Sequence, residues 1–175
     1  FNVTGNIIQN CNWNSTSTSY GIINNANNNP ATLNFSNNTI SNIQRNNNSN
    51  ATTYGISISN TNAAGVNTVS GNTINNINSY PTSLTTYGTG SNYGIFNSGA
   101  STSTFNTYNN TIDSLRLNGT GTSYGIYNST SGTVNTYSNT ITNLLNTRPG
   151  QVIGIFLTPG ATGVVNCYSN TLSTF

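Results

Sequence analysis

Two short motifs alternate along this chain, and their spacing constrains the fold more than any other feature. Asn-Thr-Ile begins at Asn38, Asn72, Asn110 and Asn139, with Asn6-Ile7-Ile8 and Asn170-Thr171-Leu172 as degenerate copies. Tyr-Gly-Ile begins at Tyr20, Tyr54, Tyr93 and Tyr124, with Ile153-Gly154-Ile155 as a fifth copy. Successive anchor asparagines lie 32, 34, 38, 29 and 31 residues apart. A period of this size marks a stacked repeat. One unit cannot bury its own apolar side, so its neighbours must close the core.

Numbering each copy from its anchor asparagine as position 0 exposes the pattern. Position −5 reads Phe1, Leu33, Asn67, Phe105, Val134, Val165, and position −3 reads Val3, Phe35, Val69, Thr107, Thr136, Cys167. Position −4 between them is always Asn or Thr. This is period-2 alternation, with one face buried and one wet. Position +2 is Ile in five copies and Leu172 in the sixth, and position +5 reads Cys11, Ile43, Ile77, Leu115, Leu144, Phe175. The alternation changes phase near the anchor, so a bend separates two strands there, and Tyr-Gly-Ile supplies a third. Asn tolerates left-handed backbone angles, which fits the bend. Stacked amides can also hydrogen-bond along the axis. Asn6, Asn38, Asn72, Asn110, Asn139 and Asn170 are therefore expected to form a structural ladder.

Three short strands per repeat describe one turn of a β-solenoid, with turns about 4.8 Å apart and parallel connections of right-handed sense. The expected fold is all-β: a right-handed parallel β-helix of about five full turns plus a partial first one, filling residues 1–175 as one segment of a longer repeat chain. The intervals are too long and uneven for a leucine-rich repeat, and Leu is scarce.

Composition removes most enzyme chemistry. The charged residues are Arg45, Arg116, Arg148 and Asp113, and there is no Lys, Glu, His or Met. Paired-carboxylate hydrolysis needs two acids. Ser-His-Asp and Cys-His sites need a histidine. Zinc needs more ligands than Cys11, Cys167 and Asp113 supply. Nucleic acid needs a dense basic surface, which three arginines do not make. No apolar run approaches the roughly 18 residues of a membrane span. Cys11 and Cys167 lie five turns apart, beyond disulfide reach, and are expected to be small core residues.

Gly132-Thr133-Val134-Asn135-Thr136-Tyr137-Ser138-Asn139-Thr140-Ile141 resembles the right-handed parallel β-helix repeats of the pectate-lyase-like superfamily. The stretch Tyr124 to Ser129 is similar to Asn-rich repeats of secreted surface proteins of Bacteroidota. The resemblance implies the fold. It does not imply the polysaccharide cleavage of the family's enzymes, because the clustered aspartates and Ca²⁺ ligands have no counterpart beside Asp113.

The expected role is a non-enzymatic structural or adhesive solenoid at the bacterial surface or outside the cell. It would be part of a filament, stalk or adhesin, without cofactor and without a nucleic-acid partner. Head-to-tail association or further turns of the same chain would cover its ends. The alternative is a glycan-binding or ice-binding module, and a non-catalytic part of a polysaccharide-degrading enzyme comes third. Arg45, Arg116 and Arg148 all fall between position +5 and the next Tyr-Gly-Ile, and Tyr80 and Tyr87 lie in the longest such connection. Tyr108, Tyr137 and Tyr168 share the outward position −2. These eight residues form the candidate glycan or contact surface. The column Thr39, Thr73, Thr111, Thr140, Thr171 is the feature that raises ice binding.

Overall fold

The computed structural model describes residues 1–26, 32–46, 50–60, 65–79, 88–99, 102–130 and 132–175. It shows an all-β parallel solenoid of about five turns, with no helix among the described residues. The first sheet stacks Asn2–Thr4, Thr32–Ser36, Val66–Ser70, Thr104–Tyr108, Thr133–Tyr137 and Val164–Tyr168. The second stacks Ile7–Trp13, Thr39–Arg45, Thr73–Ser79, Thr111–Leu117, Thr140–Thr142 and Thr171–Ser173, with Leu145–Asn146 continuing the fifth strand. The third stacks Ser19–Ala26, Thr53–Asn60, Asn92–Gly99, Ser123–Thr130 and Val152–Pro159. The first copy contributes strands to all three sheets, so the partial turn is the last one and not the first.

Repeat register becomes strand register. Ile8, Ile40, Ile74, Ile112, Ile141 and Leu172 pair in one unbroken column. From Ile40 to Ile141 these side chains are fully buried, as are Ile43, Ile77 and Leu115 of the +5 column. Exposed large apolar residues gather at the two end turns, among them Ile7, Val164, Leu172 and Phe175. Cys11 is half-buried and Cys167 exposed. Cys11 packs against the core as expected, whereas the expectation for Cys167 is corrected: it lies in the inward −3 column but in the last turn, with a stacked neighbour on one side.

The bend is placed differently from expectation. Left-handed backbone occurs at position −1, in Gly5, Asn37, Gly71, Asn109, Ser138 and Ser169, and at position +4, in Asn10, Asn42, Asn76, Ser114, Asn143 and Thr174. No anchor asparagine adopts it. The anchor must turn its side chain inward to reach its neighbours, so the preceding residue takes the turn. The second left-handed site resets the alternation. That is why +2 and +5, three residues apart, both point into the core, and why +7 does so as well.

The glycine of Tyr-Gly-Ile has a steric cause. A Cβ on Gly21, Gly55, Gly94 or Gly125 would lie 2.5–2.6 Å from the carbonyl oxygen of the next motif glycine and 2.6–2.8 Å from Cγ2 of Ile40, Ile74, Ile112 or Ile141. The motif glycine is thus the socket for the +2 isoleucine, and the two motifs recur together because they touch.

Candidate functional site

A continuous amide column runs the length of the solenoid. Nδ2 of Asn6, Asn38, Asn72, Asn110 and Asn139 each donates to Oδ1 of the next anchor at 2.9 Å. The same Oδ1 accepts the backbone N–H of the preceding anchor at 2.9–3.1 Å. The second Nδ2 proton reaches carbonyls such as Phe35, Val69 and Thr107 of the previous turn, at 2.9 Å. Asn38, Asn72, Asn110 and Asn139 are 1% exposed. Buried amides this fully paired are structural, since each would be costly to leave unsatisfied. They have no capacity left for a ligand.

The three arginines do not form one edge. Arg45 sits at position +7, where the reset alternation points it inward, and it is 2% exposed. Its Nε donates to Thr53 Oγ1 at 3.2 Å, in a buried network where Thr53 Oγ1 lies 2.9 Å from Ser79 Oγ and Ser79 donates to Asn92 Oδ1 at 2.6 Å. Burial pulls its guanidinium below its ordinary pKa. Arg45 is therefore removed from the candidate surface. Arg116, at +6, is exposed, and Arg148 donates from Nε to Asn118 Oδ1 at 3.2 Å. Tyr80 and Tyr87 lie outside the described residues.

Tyr108, Tyr137 and Tyr168 come together on the outer face of the first sheet. Their centroids are 4.9 and 5.1 Å apart, and their planes lie within 4° and 2° of parallel. Burial and the two flanking phenols push the Tyr137 hydroxyl above its ordinary pKa.

A larger aromatic surface on the third sheet escaped sequence reasoning. Tyr20, Tyr54, Tyr93 and Tyr124 stack at 5.0, 5.0 and 4.8 Å. Three residues further along each strand, Phe96, Tyr127 and Phe156 stack at 5.1 Å. The two columns meet edge to face, with Tyr93 and Tyr127 5.7 Å apart at 88°. The outward tyrosine that opens each Tyr-Gly-Ile copy was the available signal.

Asp113 stands alone as an acid. Its carboxylate accepts from Thr142 Oγ1 and Asn143 Nδ2 at 2.6 Å and from Ser114 Oγ at 2.9 Å. Burial raises its pKa, but these hydrogen bonds, with one from the Ser114 backbone, outweigh that and hold it below the ordinary value. Among the described residues no group of three His, Cys, Asp or Glu could hold a metal, and no helix is long and apolar enough to cross a membrane. A cleft of about 360 Å³ opens where the fifth second-sheet strand is interrupted, beside Arg116, Leu144 and Phe175. Its lining carries one guanidinium and no carboxylate side chain. Comparison with known proteins finds no matching family model, no matching curated protein and no matching solved structure.

Proposed function

We propose that this chain is a non-enzymatic structural and adhesive segment of an extracellular bacterial filament, stalk or adhesin. The reading includes kinship with the β-helix repeats of the pectate-lyase-like superfamily and with surface proteins of Bacteroidota, by likeness of motif alone. The observation that carries it is the continuity of the amide column from Asn6 to Asn170. Each added turn brings the same bonds in the same register. Such a chain gains length without changing its cross-section, as a rod-like spacer requires. The non-enzymatic part rests on composition, with one carboxylate side chain and no histidine. Further turns of the same chain, or copies stacked head to tail, would extend the rod.

Antibodies against residues 1–175 test the location. Labelling of intact cells, with rod-like material under the label in electron micrographs, is the expected result. Labelling only after permeabilisation would overturn the reading. A glycan array tests the alternative, which rests on Arg116, Arg148 and the Tyr108–Tyr137–Tyr168 strip. Array binding abolished by Tyr168→Ser would place glycan recognition above the purely structural role. Inhibition of ice recrystallisation would do the same for ice.

A further inference from the structure

We infer that the outer face of the third sheet is a lateral docking surface for a second copy of this chain. The inference deepens the structural reading, on which it rests for its biological use.

The five third-sheet strands carry no charged residue. Arg45, Asp113 and Arg116 all lie on second-sheet strands, and Arg148 follows that sheet. The net charge of +2 is therefore kept off this face. Seven half-buried rings cover it in two columns. Ile23, in the same column as Phe96, is 48% exposed.

Ring orientation decides what the face can take. Tyr93 is stacked between Tyr54 and Tyr124, and Tyr127 between Phe96 and Phe156. Their faces are occupied by one another, so only rims and hydroxyls reach outward. A sugar ring needs an open aromatic face and finds none on the interior rings. The two columns meet edge to face and present one continuous uncharged surface of ring rims, which an identical surface can cover. The axial spacing of a second copy is the same by identity, so strand can face strand along the sheet, with ring meeting ring where the Phe96, Tyr127 and Phe156 turns take part, and a two-fold pairing is self-complementary.

The area is consistent with association that strengthens with length. Five strands of eight residues, at about 3.3 Å per residue and about 4.8 Å per strand, make a face of about 600 Å². A specific interface uses about 800 Å² per partner. This chain should therefore pair weakly, and about two more turns would bring the face to full interface size.

Sedimentation equilibrium of the purified chain from micromolar to millimolar concentration is the test. A reversible dimer is expected. Phe96→Ser with Tyr127→Ser should weaken it at least tenfold, and Tyr137→Ser, on the first sheet, should leave it unchanged. Ser129→Arg adds charge to the face without removing a ring, and should also weaken pairing tenfold or more through repulsion between the copies. Ser98→Cys, combined with Cys11→Ser and Cys167→Ser, should form an intermolecular disulfide on oxidation. A chain that stays monomeric throughout overturns the inference. So does association that survives both the ring and the charge substitutions, which would place the contact at the axial ends. So does binding of a neutral glycan at this face without self-association. Absence of pairing in a protein that labels on intact cells would sink the lateral contact and leave the structural role standing.

Discussion

Before residues 80–87, the inward column at position −3 is apolar, with Val3, Phe35 and Val69. After them the same column holds Thr107, Thr136 and Cys167. The facing third-sheet column reads Asn24, Ile58, Asn97, Asn128 and Leu157, so the isoleucine of the second turn gives way to amides in the third and fourth. Asn97 donates to Thr107 Oγ1 at 3.1 Å and to Asn128 Oδ1 at 2.5 Å, and Asn128 donates to Thr136 Oγ1 at 2.9 Å. All four side chains are fully buried. Outside, the trend runs the other way. Ser36 and Ser70 are replaced by Tyr108, Tyr137 and Tyr168, and Ser57 by Phe96, Tyr127 and Phe156. The third and fourth turns thus carry a hydrogen-bonded network of amides and hydroxyls inside and added rings outside, on a backbone frame like that of the earlier turns.

The difference shows which columns define the fold. The anchor asparagine, the +2 isoleucine and the motif glycine span both regions, while the −3 column varies: its hydroxyls at Thr107 and Thr136 come with facing amides, whereas Asn24, in a turn with apolar −3 residues, leaves its Oδ1 without a partner. A buried hydroxyl opposite an isoleucine would be unpaired, and a buried amide opposite a valine likewise.

The first way to break this comparison is through the shared core. Ile40→Asn and Ile112→Asn should each destabilise by about 2–5 kcal/mol, since each removes apolar burial and adds an unpaired amide. Thr111→Ser, on the outer face, should change stability by less than about 0.5 kcal/mol. Urea midpoints of the three variants check this. Unequal costs at Ile40 and Ile112 would mean that the two regions do not share one frame.

Next in size is the ladder. Asn110→Ala removes the acceptor of the Asn72 N–H and Nδ2, bonds of 3.0 and 2.9 Å. Two buried donors left unsatisfied should cost about 2–4 kcal/mol. Hydrogen exchange should show the Asn72 amide losing protection while amides of the first turn keep theirs.

The exchanged column sharpens the comparison. Thr107→Val strips Asn97 of one acceptor and should cost about 1–3 kcal/mol. Adding Asn97→Ile recreates the Val69 and Ile58 pair of the earlier turns, and the double variant should cost at least about 1 kcal/mol less than the sum of the singles. Strict additivity would show that the two columns vary independently.

Much of this architecture was legible because the repeat writes strand register directly into the sequence. The inward columns at +2 and +5 could be read without knowing what reset the alternation between them. The left-handed sites could not be placed, since position −1 mixes Gly5, Asn37, Gly71, Asn109, Ser138 and Ser169, and no single residue type marks the turn. Assigning the bend to the anchor, and ending the second strand at +5, hid the inward direction of +7. With no inward direction at +7, the sequence leaves Arg45 in a connection, although it closes a buried network. Tyr-Gly-Ile gives a spacing in the sequence, but it does not show that its tyrosines stack. That depends on in-register pairing across turns. The role of the motif glycine was hidden in the same way, because the isoleucine it seats lies 16 to 19 residues further along the chain.

The smallest expected effect separates the regions by pH. Position +3 reads Gln9, Ser41, Asn75, Asp113 and Thr142, so the only carboxylate side chain lies after residues 80–87. Burial raises the Asp113 pKa, but the bonds from Thr142, Asn143 and Ser114 lower it further, and the folded value lies below the ordinary 3.8. A carboxyl depressed in the folded state stabilises above its unfolded pKa, and that stabilisation is lost as pH falls through the folded one. Stability should therefore be flat from neutral pH down to about 4 and decline slightly below it. The chain has no histidine and no second acidic side chain, so little else titrates in that window. Asp113 is only partly buried, and solvent screening keeps the effect small. Asp113→Asn should flatten the acid limb of a urea-midpoint series from pH 7 to pH 2. Hydrogen exchange should confine the wild-type loss to amides of the second sheet near Thr142 and Asn143. A decline of equal size in Asp113→Asn, or one centred on the turns before residue 80, would show that the hydrogen bonds to this carboxylate contribute nothing to the stability of the later turns.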